Sequence, residues 1–345
     1  MRKLWIGLVL LLFLITPVRA EFTAPQVPEA GRKLMPAQTE NFSEGLRQIL
    51  GELLPIVRPE LAQGLRTGGA LIAACLLLSL LRSCCDQLSH TADLVGAVAI
   101  AGLLFSGAHA MIRLGADTVQ TVSEYEKLLL PTATAAMAAQ GGVGSATALY
   151  AGTALFNTVL TSLLVRLLLP VQYFYLAAAT AAAALGNDVL KNLKKAMKDL
   201  LLWCLKTMTS LFTAYLGITG VVSGTTDAAV LKAAKTAIST VVPVVGGILA
   251  DASEAVLVGA GLARNAVGIY GILAILAVAL GPFARIGTQF LILRGAACLC
   301  AVFGGKSETD LIEDFSEVMR MLLGMTGAMC LLGIVSSVCF LKGVR

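Results

Sequence analysis

Between about residue 66 and residue 341 the chain returns about eight times to apolar runs of roughly bilayer-crossing length. No other feature constrains its fold as much. The runs lie at about 66 to 82, 94 to 112, 145 to 165, 167 to 185, 200 to 222, 266 to 283, 286 to 303 and 321 to 341. With 57% of the 345 residues hydrophobic and 14% charged, there is too little polar surface to face water on every side. Lipid is therefore the solvent for much of the surface. The predicted fold is an all-α polytopic membrane helical bundle.

The chain opens with Arg2 and Lys3, an apolar run from Leu4 to Ile15, and the small-residue site around Ala20. Residues 1–20 read as a signal peptide, with an uncleaved anchor as the alternative. Residues 21–66 then form an extracytoplasmic segment. Its first part, APQVPEAGRKLMP, is spaced by prolines and reads as a tether. An amphipathic helix follows, capped by Asn41 or Ser43, with Glu44 in its first turn and Leu46, Ile49, Leu50, Leu53 and Leu54 on one face. Pro55 and Pro59 are expected to bend or break it. Residues 67–345 form the multi-span domain.

Orientation follows from the lysines. Lys191, Lys194, Lys195 and Lys198 form the densest basic cluster, which the positive-inside rule puts in the cytoplasm, and Lys342 and Arg345 argue the same for the C-terminus. On this count the acidic loop of Glu308, Asp310, Glu313, Asp314 and Glu317 falls outside. Arg166 and Pro170 divide the third and fourth runs as a tight hairpin. The count then conflicts with itself. An external residue 66 and a cytoplasmic Lys191 need an odd number of crossings, yet four runs lie between them. Leu128 to Gln140 offers a short or re-entrant fifth segment.

Chemistry is sparse. The two histidines, His90 and His109, assemble neither a metal site nor a Ser/His/Asp triad, so no catalytic residue, metal or cofactor is predicted. His109 and Arg113 are the intramembrane ionisable candidates and are expected to face the bundle interior. The eight cysteines lie mostly in apolar stretches and read as small core residues. A net charge of +5 spread over the chain gives no nucleic-acid footprint.

The most informative stretch runs from Gly217 to Gly271. It reads as two amphipathic helices around a break, a re-entrant or in-plane helical hairpin over residues 225–260. Asp227 lies near the start of the first helix, and Lys232 and Lys235 share one face. Pro243, Gly246 and Gly247 stop it, and Asp251 and Glu254 share a face of the second. Two cations facing two anions across a hinge suit a hairpin that lines or gates a pathway. They suit equally an in-plane structural hairpin with surface charges.

The same stretch, with TDAAVLKAAKTA, VVPVVGGILADASEAV and RNAVGIYG, resembles the stage III sporulation protein AE family of endospore-forming bacteria. The signal-like start, short extracytoplasmic segment, multiple spans and basic end agree with that layout. Asp227, Lys232, Lys235, Pro243, Gly246, Gly247, Asp251, Asn265 and Gly268 carry the motif. The resemblance implies a platform or pore subunit of the channel complex linking mother cell and forespore, required for forespore development. It implies a place in the mother-cell membrane surrounding the forespore. Implied partners are the other membrane and ring proteins of the same operon, their secretion-type ATPase and, indirectly, the forespore-side channel protein. A small-solute transporter or permease is the competing function; it predicts inverted repeats around a midplane site, and no convincing internal repeat is found.

Overall fold

The computed structural model describes residues 25–35, 42–84, 89–139, 143–218, 266–303 and 305–342. The signal segment 1–20 and the hairpin 225–260 lie outside these residues. Among the described residues the only regular structure is helix, as an all-α membrane bundle requires. The elements are α1 (Glu29–Arg32), α2 (Phe42–Cys84), α3 (Ser89–Ala139), α4 (Val143–Leu163), a π turn (Leu164–Leu168), α5 (Leu169–Leu185), α6 (Asp188–Ile218), α7 (Ala266–Phe303) and α8 (Lys306–Lys342).

Five helical stretches are long and apolar enough to span a membrane, in place of the eight runs expected: Phe42–Cys84, Thr91–Ala135, Tyr150–Leu185, Ile269–Val302 and Lys306–Val338. Two pairs of runs merge, 145 to 165 with 167 to 185 and 266 to 283 with 286 to 303, and α6, which holds most of the run at 200 to 222, is not among the five. Pro55 and Pro59 lie inside α2, Pro131 inside α3 and Pro282 inside α7, and none ends its helix. A proline removes one backbone hydrogen bond, but in a packed apolar bundle the alternative, exposed peptide groups in lipid, costs more. The amphipathic helix after residue 42 thus runs into the first span without a break. Leu128 to Ala139 is the end of α3 rather than a separate segment, and the two runs of α7 are one helix.

Arg166 and Pro170 likewise mark no hairpin. The chain passes from α4 to α5 through the π turn, which directly precedes Pro170. The wider turn gives the pyrrolidine ring room that a regular α turn denies. Three helical passes, not four, therefore separate residue 42 from Lys191. The parity conflict in the sequence count disappears.

The proline-spaced segment is no free tether either. Val27 and Leu34 are buried, and a Cβ on Gly31 would lie 2.7 Å from Val278 Cγ2, so the α1 segment lies tightly against α7. In the next helix Ile49 is fully buried and Leu46 and Leu53 partly so, whereas Leu50 and Leu54 stay exposed.

Burial ranks the spans. Of its most apolar window, α8 has 89% buried and α7 67%, against 22%, 33% and 28% for the three other spans. The antiparallel α7–α8 pair is therefore the core, and α2, α3 and α4–α5 wrap it. Large exposed apolar side chains ring the half of the bundle where α2 ends and α3 begins. They include Leu77, Leu80 and Val98, with Leu291 and Val302 on α7. A patch of this extent suits lipid contact, not water.

The α5–α6 reversal in this half is a tight turn. Gly186 ends α5 in the left-handed region, with φ +65, and its N–H donates to Ala182 O at 3.0 Å. Asn187 Oδ1 then accepts the Val189 N–H at 2.8 Å, capping α6. Replacing Gly186 by Ala puts a Cβ into that strained region and should cost about 1–2 kcal/mol, read as a lower midpoint of detergent-purified protein on thermal unfolding.

Candidate functional site

Apart from the terminal Lys342, the charged residues of α8 lie in its first half: Glu308, Asp310, Glu313, Asp314, Glu317 and Arg320, with Lys306 opening the helix. Burying this stretch among apolar helices is costly unless each charge finds a partner. Cations arrive from three other helices. Arg82, at the end of α2, binds Glu308, whose side chain is fully buried, and also reaches Asp93 of α3 at 2.5 Å. Arg294 of α7 pairs with Glu313 at 3.3 Å. Lys194 of α6 donates to Asp314 Oδ2 at 2.6 Å, and Lys198, one turn on, pairs with Glu317 at 3.4 Å. Tyr175 of α5 donates to the other Asp314 oxygen at 2.7 Å. Arg320 completes the set by pairing with Glu317.

Glycine makes the Arg82 pair possible. A Cβ on Gly305 would run into both the Arg82 guanidinium and Glu308 Oε2, and one on Gly96 would lie 3.0 Å from Glu308 Oε1. The start of α8 is also tied by Ser307, which donates to Ala183 O at 2.6 Å.

These contacts overturn the expected orientation of two segments. The acidic stretch Glu308 to Glu317 lies against Lys194 and Lys198, at the same end of the bundle as the basic cluster and not across the membrane from it. The reason is that α7 makes one pass where two were counted. The α8 helix then runs away from that end for about 55 Å at 1.5 Å per residue, so Lys342 lies at the end opposite Lys191. The basic cluster and the end of α8 therefore lie at opposite ends of the bundle.

Between the α5–α6 reversal and the start of α8 lies a cavity of about 720 Å³. Its charged lining comes from Arg82, Asp93, Lys191, Lys194, Lys306, Asp310 and Asp314, opposite the alanine run that ends α5. Alanine side chains are too short to fill the space. The run Ala177 to Ala184, read from sequence as a close-packing face, packs on one side through Ala178, Ala179 and Ala182 and walls the cavity through Ala183 and Ala184.

Of the motif residues, Asp227, Lys232, Lys235, Pro243, Gly246, Gly247, Asp251, Glu254 and Asn265 lie outside the described residues. Gly268 is in the first turn of α7. His109 and Arg113 do not face the interior. Both are exposed, and His109 Nδ1 meets the Tyr173 hydroxyl at 2.8 Å on the outer surface. Cys75, Cys204, Cys300 and Cys330 are buried as expected, whereas Cys84 and Cys298 are exposed. Sequence reasoning noticed the lysine and acid clusters but missed that they pair. The matching spacings, Lys194 to Lys198 and Asp314 to Glu317, were the available signal.

Fold and site together define a class: a multi-span all-α membrane protein organised around a central, ion-paired helix. The family is then given by comparison. The family model described as stage III sporulation protein AE matches residues 32–341, and the chain belongs to that family. Its role is accordingly in sporulation. The chain is similar to the stage III sporulation protein AE of Bacillus subtilis (strain 168), 23% identical over 246 residues, which is 70% of this chain and 61% of that relative. The matched part thus falls short of two thirds of the relative's length. No solved structure matches the chain.

Removing one partner of a buried pair leaves the other charge stranded. Lys194→Met is expected to destabilise the purified protein by roughly 3 kcal/mol, and Lys194→Met with Asp314→Leu to recover most of that loss. Thermal unfolding of the single and double variants in detergent measures both.

Proposed function

We propose that this chain is a membrane subunit, platform or pore component, of the channel complex that links mother cell and forespore during sporulation. It is carried in the mother-cell membrane surrounding the forespore and is required for forespore development. Its partners are the other membrane and ring proteins of the stage III operon and their secretion-type ATPase, with the forespore-side channel protein reached indirectly. Family membership supports the sporulation role. One structural observation supports the subunit role, and it concerns α6.

The α6 helix presents two unlike faces outward. Leu193, Leu200 and Leu211, seven and eleven residues apart, form an exposed apolar stripe flanked by Val189 and by Trp203, which is 64% exposed. Lys191, Lys195, Asp199 and Lys206 form an exposed charged face on another side. The third face packs on the bundle through Leu201, Cys204 and Leu205. Its first half lies alongside the lipid-suited belt, because Lys194 and Lys198 reach α8 there. Lysines beside the apolar belt are costly against bare lipid, and the stripe is costly against water. Another membrane subunit packed on α6 satisfies both faces, and Trp203 is the residue type that anchors such contacts.

Trp203→Ala combined with Leu200→Ser is expected to abolish copurification with the operon's membrane and ring proteins and to block forespore development, while leaving the melting temperature within about 3 °C of wild type, as a surface change should. Unchanged copurification and sporulation would overturn the assignment of this face. A full-length chain that joins no complex, yet moves a solute alone in liposomes, would replace the subunit reading with a transporter.

A further inference from the structure

Deep in the bundle, away from the ion pairs of α8, one carboxylate has no cation. Glu126 of α3 is 2% exposed, and among the described residues its only polar partner is the side-chain amide of Asn157 of α4, which donates to Oε2. Its second oxygen, Oε1, is buried without any partner. That oxygen packs against α8, where a Cβ on Gly333 would collide with it.

The surroundings are rich in oxygen. Asn157 Oδ1 accepts from Ser123 Oγ at 2.5 Å and from Thr161 Oγ1 at 3.2 Å, and Ser123 O lies 3.5 Å from Asn157 Nδ2. Thr153, one turn before Asn157 on the same face of α4, has a buried hydroxyl with no partner. Ser123, Thr153 and Asn157 are each no more than 1% exposed. Around them the bundle is apolar, with Met329 and Cys330 on α8.

An uncompensated carboxylate in such a place must be neutralised. No lysine, arginine or histidine among the described residues pairs with Glu126; the adjacent Lys127 turns outward and is exposed. A proton would neutralise Glu126 but would draw on only one of the oxygens gathered here. A hard cation suits the site better, since it takes carboxylate, amide and hydroxyl oxygens together. One carboxylate with otherwise neutral ligands matches a single positive charge. A divalent ion would leave net charge buried.

We propose that Glu126, Asn157, Ser123, Thr161 and Thr153 form a binding site for one monovalent alkali cation, of which sodium is the probe. The ion joins α3 to α4 at the place where both meet α8, so its occupancy sets how firmly the α3–α4 pair closes on the core.

The test uses the full chain purified in detergent. It is melted at fixed pH in sodium chloride and in choline chloride of equal ionic strength. Wild type should show a saturable, sodium-specific rise in melting temperature, and Glu126→Gln should show none. Ser123→Ala should raise the half-maximal sodium concentration roughly tenfold or more, the scale of losing a supporting ligand. Equilibrium binding of radioactive sodium to wild type should give one ion per chain; this measurement stands even where Glu126→Gln fails to fold. No sodium-specific rise and no bound ion would overturn the proposal. So would a rise that survives in Glu126→Gln, or a melting temperature that follows pH but ignores sodium.

Discussion

The structure depends on how α8 comes to be central while carrying a run of acids. Glu308, Glu313, Asp314 and Glu317 occupy its first half, and each is met by a cation from a different part of the chain: Arg82 on α2, Arg294 on α7, Lys194 and Lys198 on α6. Breaking the Arg82–Glu308 or Lys194–Asp314 pair strands a charge in a low-dielectric interior, so these pairs fix register more than they add raw stability, whereas Arg294 and Glu313 meet at the surface. Four helices are aligned along one axis by these contacts. The second half of α8 needs no such help, because it is apolar and packs by burial alone through residues such as Leu322, Met329 and Ile334.

That division along α8 organises the whole molecule. In the ion-paired half, the peripheral helices α2 and α3 turn leucine and valine outward, and a cavity opens where small residues replace large ones. In the other half, α7 supplies a nearly continuous buried surface from Ile272 to Ala279, and the α1 segment closes over it through Val27 and Leu34. The α6 helix turns an apolar stripe and a charged face outward side by side.

Much of the architecture was legible in the chain. Apolar run length announced membrane helices, and the 14% of charged residues excluded a soluble fold. Part of the difference has a plain physical cause. Pro55, Pro59 and Pro170 would end or divide a helix in water, where a freed carbonyl finds a solvent partner. In a bundle that excludes water, continuing the helix is the lower-energy choice. Merging the divided runs changed the number of passes, and with it the side assigned to Glu308–Glu317 and to Lys342. The site was less legible. The acid and lysine spacings were visible, but nothing in the sequence says that residue 194 meets residue 314. Glu126 and Asn157 carry no motif at all.

The sequence by itself determined the solvent of this protein, its helical class and, through the stretch from Gly217 to Gly271, its family. Those properties follow from composition, local periodicity and residue identity, which act over short lengths of chain. Only the tertiary structure decided which charges are partners, which helix is central and where an unpaired carboxylate is enclosed. A charge in lipid is tolerated or not according to what lies across from it. Residues that face one another at this bundle's centre come from positions 120 and 226 apart in the chain.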